Sequence, residues 1–196
     1  MEGLWQQVTN VWNEINGDKD QRTSRSNVAN QECWQPPSWR VLKLNVDASI
    51  KEGHPNRVGC IIRNYMGRCL AAMTKRFDTI TSVDTMEAVA VYDGLVLAKS
   101  MSILNIEVEG DSANVFKLLN RGGVDQSYLG IIIEDILDLS NFFSSISFKW
   151  IRRETNRVAH ILAHEQVDFL DDNSSSLVWL EDYPPLICNA LRQDLL

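Results

Sequence analysis

The chain has 196 residues, 44% hydrophobic and 23% charged, which is enough apolar material for one well-packed domain and too little length for two large ones. With 10 Gly and 5 Pro the composition excludes a collagen-like or low-complexity polymer, and no apolar run approaches the roughly 20 residues of a membrane-spanning helix. The net charge of −7 is uneven: residues 40–166 hold 15 acidic and 15 basic groups, so the surplus of acid belongs to the two ends, and no strong positive field surrounds the molecule.

Met1-Glu2-Gly3-Leu4-Trp5 shows no basic segment followed by an apolar block, so no secretory signal is expected. The four cysteines, at 33, 60, 69 and 188, form no close-spaced pair of the kind that holds zinc. The simplest expectation is a soluble, reduced, intracellular protein of the nucleus or cytoplasm, with no membrane partner.

Leu4, Trp5, Val8, Trp12 and Ile15 recur at helical spacing and predict an amphipathic helix over 2–16, followed by a polar linker from Asn16 to Gln31. Such a helix either docks on the domain or binds a protein partner. Residues 1–33 are thus set apart from a domain spanning 34–190. Trp34-Gln35-Pro36-Pro37-Ser38-Trp39 is extended, because each proline excludes the residue before it from the helical region.

Residues 41–47 alternate, with Leu42, Leu44 and Val46 on one face and Lys43, Asn45 and Asp47 on the other, which predicts a half-buried strand. Two further strands, 58–63 and 69–74, are joined by the Gly-containing loop Asn64-Tyr65-Met66-Gly67-Arg68. Val83 to Met101 reads as a helix, 103–108 as a fourth strand and 112–119 as a short helix ending before Arg121-Gly122-Gly123. A helix over 128–143, a fifth strand over 146–151 and a last helix from Thr155 to about Leu170 complete the order. The expected class is α/β: a five-stranded mixed sheet, three antiparallel strands and then two parallel, with helices on both faces.

Four chemically capable residues fall at corresponding points of these elements: Asp47 on the first strand, Glu87 early in the first long helix, Asp111 after the fourth strand and His160 in the last helix. If strand four lies beside strand one, Asp47 and Asp111 become neighbours and the start of the helix can sit above both. Each also has a plain structural role open to it. Asp47 can sit on an exposed strand face, Glu87 can favour the helix dipole from a first turn, and Asp111 in Gly110-Asp111-Ser112 can cap a helix. For the last helix, the wheel puts Val158, Ala159, Leu162, Ala163 and Phe169 in the buried stripe, with Asn156, His160 and His164 off it. The His160/His164 pair lacks the glutamate of H-E-x-x-H and has no obvious third ligand, which argues against zinc.

In combination these motifs resemble a known family. Trp34-x-x-Pro37, Lys43-Leu44-Asn45-Val46-Asp47-Ala48-Ser49, Gly59-Cys60-Ile61-Ile62-Arg63-Asn64-x-x-Gly67, Met86-Glu87-Ala88, Glu107-Val108-Glu109-Gly110-Asp111-Ser112 and Arg152-Arg153-Glu154-x-Asn156-Arg157-Val158-Ala159-His160 are similar to the ribonuclease H-like, or reverse transcriptase-like, domain of plant proteins and non-LTR retroelements. Trp179 with Pro184-Pro185 is similar to the tail of these domains.

The resemblance implies a ribonuclease H-like fold and an endonuclease that hydrolyses the RNA strand of RNA–DNA hybrids to a 5′-phosphate and a 3′-hydroxyl. It implies catalysis through Asp47, Glu87, Asp111 and His160, with two Mg²⁺ ions (Mn²⁺ as substitute) held by Asp47, Glu87 and Asp111. Mg²⁺ prefers carboxylate oxygens, and two ions about 4 Å apart activate a water and stabilise the leaving oxygen. Arg63, Arg152, Arg153, Asn156 and Arg157 are the expected nucleic-acid contacts, reading position rather than sequence.

The chain departs from cellular ribonucleases H at three points. His160 stands where they carry a fourth acid, and imidazole is a poor Mg²⁺ ligand. The loop Arg152-Arg153-Glu154-Thr155 lacks their histidine, and no basic helix is inserted between Asn120 and Ser127. The alternative reading is therefore a retroelement-derived module that binds nucleic acid or protein with little or no turnover.

Overall fold

The computed structural model describes residues 33–78, 82–122, 126–165 and 175–195. The predicted helix over 2–16 and its linker lie outside these residues, whereas the last helix, expected from Thr155 to about Leu170, runs only from Arg157 to His164, with Glu165 extended at its C-cap. The described strands are β1 (Leu42–Ser49), β2 (Asn56–Arg63), β3 (Cys69–Phe77), β4 (Asn105–Gly110), β5 (Ser145–Trp150) and β6 (Ser176–Leu180). The helices are α1 (Val83–Ser100), α2 (Ala113–Arg121), α3 (Tyr128–Ser140), α4 (Arg157–His164) and α5 (Cys188–Gln193).

These strands form one mixed sheet in the order β5-β4-β1-β2-β3-β6. β1, β2 and β3 are antiparallel neighbours, while β4 runs parallel to β1 and β5 parallel to β4. The expected class and strand directions hold; the count is six rather than five. The additional strand, β6, pairs antiparallel with β3, with Trp179 opposite Ala72. In this strand Leu177 and Trp179 are partly covered while Ser176, Val178 and Leu180 are exposed. Read only as a tail, it left β3 as an edge strand.

The even residues of β1 (Leu44, Val46, Ala48) pack with Cys60, Ile62 and Met73 against α1, α2 and α3. The opposite face of the sheet carries Ile61 and Ala72, covered by Val158 and Leu162 of α4 and by Ile187, Ala190 and Leu191. α1 approaches β1 closely at Gly94, where a Cβ would lie 2.9 Å from a Leu44 methyl.

β1 is buried on both faces rather than half-buried. Its odd face is lined by Lys43, Asn45 and Asp47, none more than 3% exposed. Burying such groups is costly unless they are paired, and they are. Trp34 Nε1 and Arg63 Nη2 donate to Asn45 Oδ1 at 3.0 and 2.9 Å, and Asn45 Nδ2 donates to Glu109 Oε2 at 3.1 Å. Lys43 Nζ sits 2.8 Å from Glu109 Oε1. Arg63 Nη1 donates to Asp194 Oδ2 at 2.6 Å, and its guanidinium stacks 3.6 Å from the Trp34 ring centre. The Trp34-x-x-Pro37 segment and the C-terminal end are thereby tied to the centre of the sheet.

Candidate metal centre

β1 delivers Asp47 near its end, one residue before the Ala48 amide donates to the Glu87 carboxylate. α1 begins at Val83, capped by the Ser82 hydroxyl accepting from the Thr85 amide, so Glu87 lies beyond the first turn and is buried. The helix-dipole role falls instead to Asp84, which accepts from Asn114 Nδ2 at 2.8 Å. β4 starts at Asn105, two residues later than the pattern of 103–108 predicts, because Ser102 adopts φ +57° in a turn closing α1. The strand then runs through Gly110, where a Cβ would meet the Phe116 ring at 2.6 Å. Packing that ring on the strand leaves Asp111 as the first residue past the sheet. Ser112, not Asp111, caps α2.

The outcome is a convergence of three elements. Asp47, Glu87 and Asp111 each place a carboxylate oxygen within 4.8 Å of the others. Asn156 Nδ2 donates to the Val46 carbonyl at 2.8 Å and to Asp111 Oδ1 at 3.2 Å, fixing the third carboxylate against the first strand. Trp150 Nε1 donates to the Asp111 carbonyl at 3.0 Å.

The electrostatics are those of a site short of positive charge. Burial raises the Asp47 carboxyl above its usual range; the His160 hydrogen bond works against this and the Asp111 charge adds to it. Burial, then the charges of Asp47 and Asp111, push Glu87 up to about 9 despite the Ala48 amide. Three oxygen-donor carboxylates in one pocket, one holding a proton at neutral pH, suit a hard divalent cation that replaces that proton.

α4 brings two histidines to the same carboxylate. His160 Nδ1 lies 2.8 Å and His164 Nε2 3.5 Å from Asp47 Oδ2, with the two rings 3.9 Å apart. The spacing was visible in the sequence; its partner, 113 residues away from His160, was not. Burial, reinforced by neighbouring His160, lowers the His164 pKa below its ordinary 6.5, opposed by Asp47.

Two expected nucleic-acid contacts are corrected. Arg63 is 1% exposed, paired to Asp194 and stacked on Trp34, so it cannot reach a phosphate. Asn156, expected off the buried stripe, is equally buried and turned inward by its bonds to Val46 and Asp111. Arg152, Arg153 and Arg157 are exposed. Arg153 Nη2 lies 3.2 and 3.3 Å from the His160 ring nitrogens, and Arg157 bonds to Gln193. A cleft of about 490 Å³ lined by Trp34, Glu109, Lys149, Trp150 and Arg152, among others, adjoins Asp111 through Trp150. Trp150 is 48% exposed.

Comparison with protein families matches residues 45–166 to the reverse transcriptase-like family, and the chain belongs to it. Among solved structures, ribonuclease H1 of the halophilic archaeon Halobacterium salinarum NRC-1 is similar at 23% identity and a TM-score of 0.59, covering 64% of this chain and 96% of that one. The N-terminal ribonuclease H domain of a Mycobacterium tuberculosis protein is similar at 18% identity and TM-score 0.58, over 64% and 91% of the two chains. LC11 ribonuclease H1, in complex with an RNA/DNA hybrid, is similar at 18% identity and TM-score 0.57, over 63% and 94%. At these identities the likeness establishes a ribonuclease H-like fold. No curated protein sequence matches.

Proposed function

We propose that this domain is a metal-dependent endonuclease acting on the RNA strand of RNA–DNA hybrids, of the plant and non-LTR retroelement type. The observation that carries the reading is the meeting of Asp47, Glu87 and Asp111 oxygens within 4.8 Å, from three elements far apart in the chain. Divalent ions bound there, with Mg²⁺ as the expected species, supply an activated water and stabilise the charge that develops on the leaving oxygen.

The protein's own contribution is placement. Among the described residues Asp47 is common to both candidate ligand sets; Glu87 is aimed by the Ala48 amide and Asp111 by Asn156. Asp47, Glu87 and the sheet beneath them exclude water from one side of the centre, while half-exposed Asp111 and Trp150 face the substrate side. Arg152, Arg153 and Lys149 meet phosphates, and Trp150 offers a ring on which a base or sugar can stack. These contacts carry no sequence code, so the hybrid is selected by shape and by the 2′-hydroxyl.

A second reading is favoured by one observation. His160 occupies the side of Asp47 where a fourth acid would add charge, which favours a hybrid-binding module with slow turnover. A labelled hybrid incubated with Mg²⁺ or Mn²⁺ separates the two. Cleavage that yields 5′-phosphate ends and is lost in Asp111→Asn supports the nuclease; hybrid binding with no cleavage under either metal supports the binding module.

A further inference from the structure

We infer that Asp47, His160 and His164 form a second cation position, built from two imidazoles and one carboxylate, that takes a borderline first-row divalent ion in preference to Mg²⁺. The inference deepens the proposed function and rests on it in one respect, since both use Asp47.

The geometry is that of a ligand set. His160 and His164 are four residues apart on α4, so both rings project from one face of the helix toward the sheet. Nδ1 of His160 and Nε2 of His164 converge on a single atom, Asp47 Oδ2, at 2.8 and 3.5 Å. Neighbouring ligand atoms about a metal with bonds of about 2.1 Å are separated by similar spans. The other ring nitrogen of His164, Nδ1, is held by the Ser49 hydroxyl at 3.2 Å, the kind of outer contact that fixes the orientation of a metal-bound imidazole. Its Nε2 also faces the Ala48 carbonyl at 3.2 Å. That nitrogen therefore looks onto two oxygen acceptors, an arrangement met either by a ring proton or by a cation. The sequence offers two histidines without a third ligand; the fold supplies it from β1.

Donor chemistry then sets the choice of ion. Imidazole suits Co²⁺, Zn²⁺ and their neighbours, whereas Mg²⁺ favours carboxylates and water. The Glu87 and Asp111 side of Asp47 is all oxygen, and the His160 and His164 side is two-thirds nitrogen. Arg153 opposes a cation next to His160, at 3.2 Å from its Nδ1. Arg153 is an exposed side chain at the rim, and an ion entering would displace it toward solvent.

The test uses the full chain stripped of metal and titrated with Co²⁺, whose visible ligand-field absorption responds to nitrogen ligation. The expected result is saturable binding that survives a large excess of Mg²⁺. His160→Ala and His164→Ala should each weaken Co²⁺ binding by at least roughly tenfold, the lower bound for losing even an outer partner of a metal ligand. Mg²⁺ affinity, read by calorimetry, should change by a smaller factor than Co²⁺ affinity in both variants. His164→Gln, a mild change at an exposed position, provides the same reading if an alanine variant fails to fold. Equal Co²⁺ binding by wild type and the histidine variants, or displacement of Co²⁺ by comparable Mg²⁺, overturns the inference. Hybrid cleavage with Mg²⁺ but no histidine-dependent Co²⁺ site removes this inference alone. A histidine-dependent site with no cleavage under any metal removes the nuclease reading alone.

Discussion

Glu87 carries the most distinctive electrostatic signature in the molecule. Its folded value of about 9 against an ordinary 4.5 means that the metal-free folded state holds a proton that the unfolded chain has released. Between those values the folded state binds more protons than the unfolded one, so stability falls as pH rises and the penalty is complete only above about 9. The raised Asp47 acts in the same sense. His164, lowered from 6.5, acts in the opposite sense but only below that value. In chelator, thermal unfolding should therefore show a melting temperature that declines from pH 6.5 to 9, and Glu87→Gln should flatten the slope. Mg²⁺ should restore stability most at the alkaline end; a flat profile in the wild type would contradict the account. Asp47→Asn and Asp111→Asn should each lower Mg²⁺-supported cleavage by about 10²–10³-fold or more, the range for removing one preorganised electrostatic group, measured under single-turnover conditions. Of the residues themselves, Asp47, Glu87 and Asp111 were legible because carboxylates at matching ends of successive elements converge in few topologies. Their plain alternatives failed for local reasons: Ser112 took the cap, Asp84 took the first turn, and the face bearing Asp47 is buried.

At the scale of elements, α4 is positioned by a single small residue. A Cβ on Gly59 of β2 would lie 2.5 Å from the Ala163 amide nitrogen and 2.7 Å from the Leu162 carbonyl carbon. Gly59→Ala should push α4 off the sheet and cost roughly 1–3 kcal/mol in denaturant unfolding, as overpacking does. Because that helix carries His160 and His164, the same variant should weaken metal binding beyond what lost stability explains. The buried Arg63–Asp194 pair, at 2.6 Å, ties β2 to the turn after α5. Asp194→Ala leaves the guanidinium buried without its counter-charge and should cost roughly 3–5 kcal/mol by the same measurement. Periodicity revealed most of the elements because their faces alternate cleanly, as in β1 and α4. It could not reveal that the polar face of β1 is buried, since Lys43, Asn45 and Arg63 read as solvated until their partners, Glu109, Asp194 and Trp34, are brought from distant segments. Arg63 was for that reason expected on a nucleic acid. β6 escaped because five residues isolated from the other strands carry too little pattern to be distinguished from a tail.

The molecule as a whole is acidic, at −7, and among the described residues the exposed cations placed next to the carboxylate centre are few, Lys149 and Arg152 in the adjoining cleft and Arg153 beside His160. Hybrid affinity should accordingly be modest and shallow in its salt dependence. Arg152→Ala should weaken binding about equally across sequences and reduce the slope of log K against log salt by roughly 1, as loss of one phosphate contact does. Sequence-selective weakening would place Arg152 on a base instead. All of this hangs on whether the three carboxylates act together on a cation. Crystals of the full chain soaked in Mn²⁺ and measured near the manganese absorption edge address that directly. The account predicts an anomalous peak within coordination distance of Asp47, Glu87 and Asp111, lost in Glu87→Gln crystals or moved toward His160 and His164. Ordered carboxylates with no peak among them, at Mn²⁺ concentrations that occupy other sites, would contradict it.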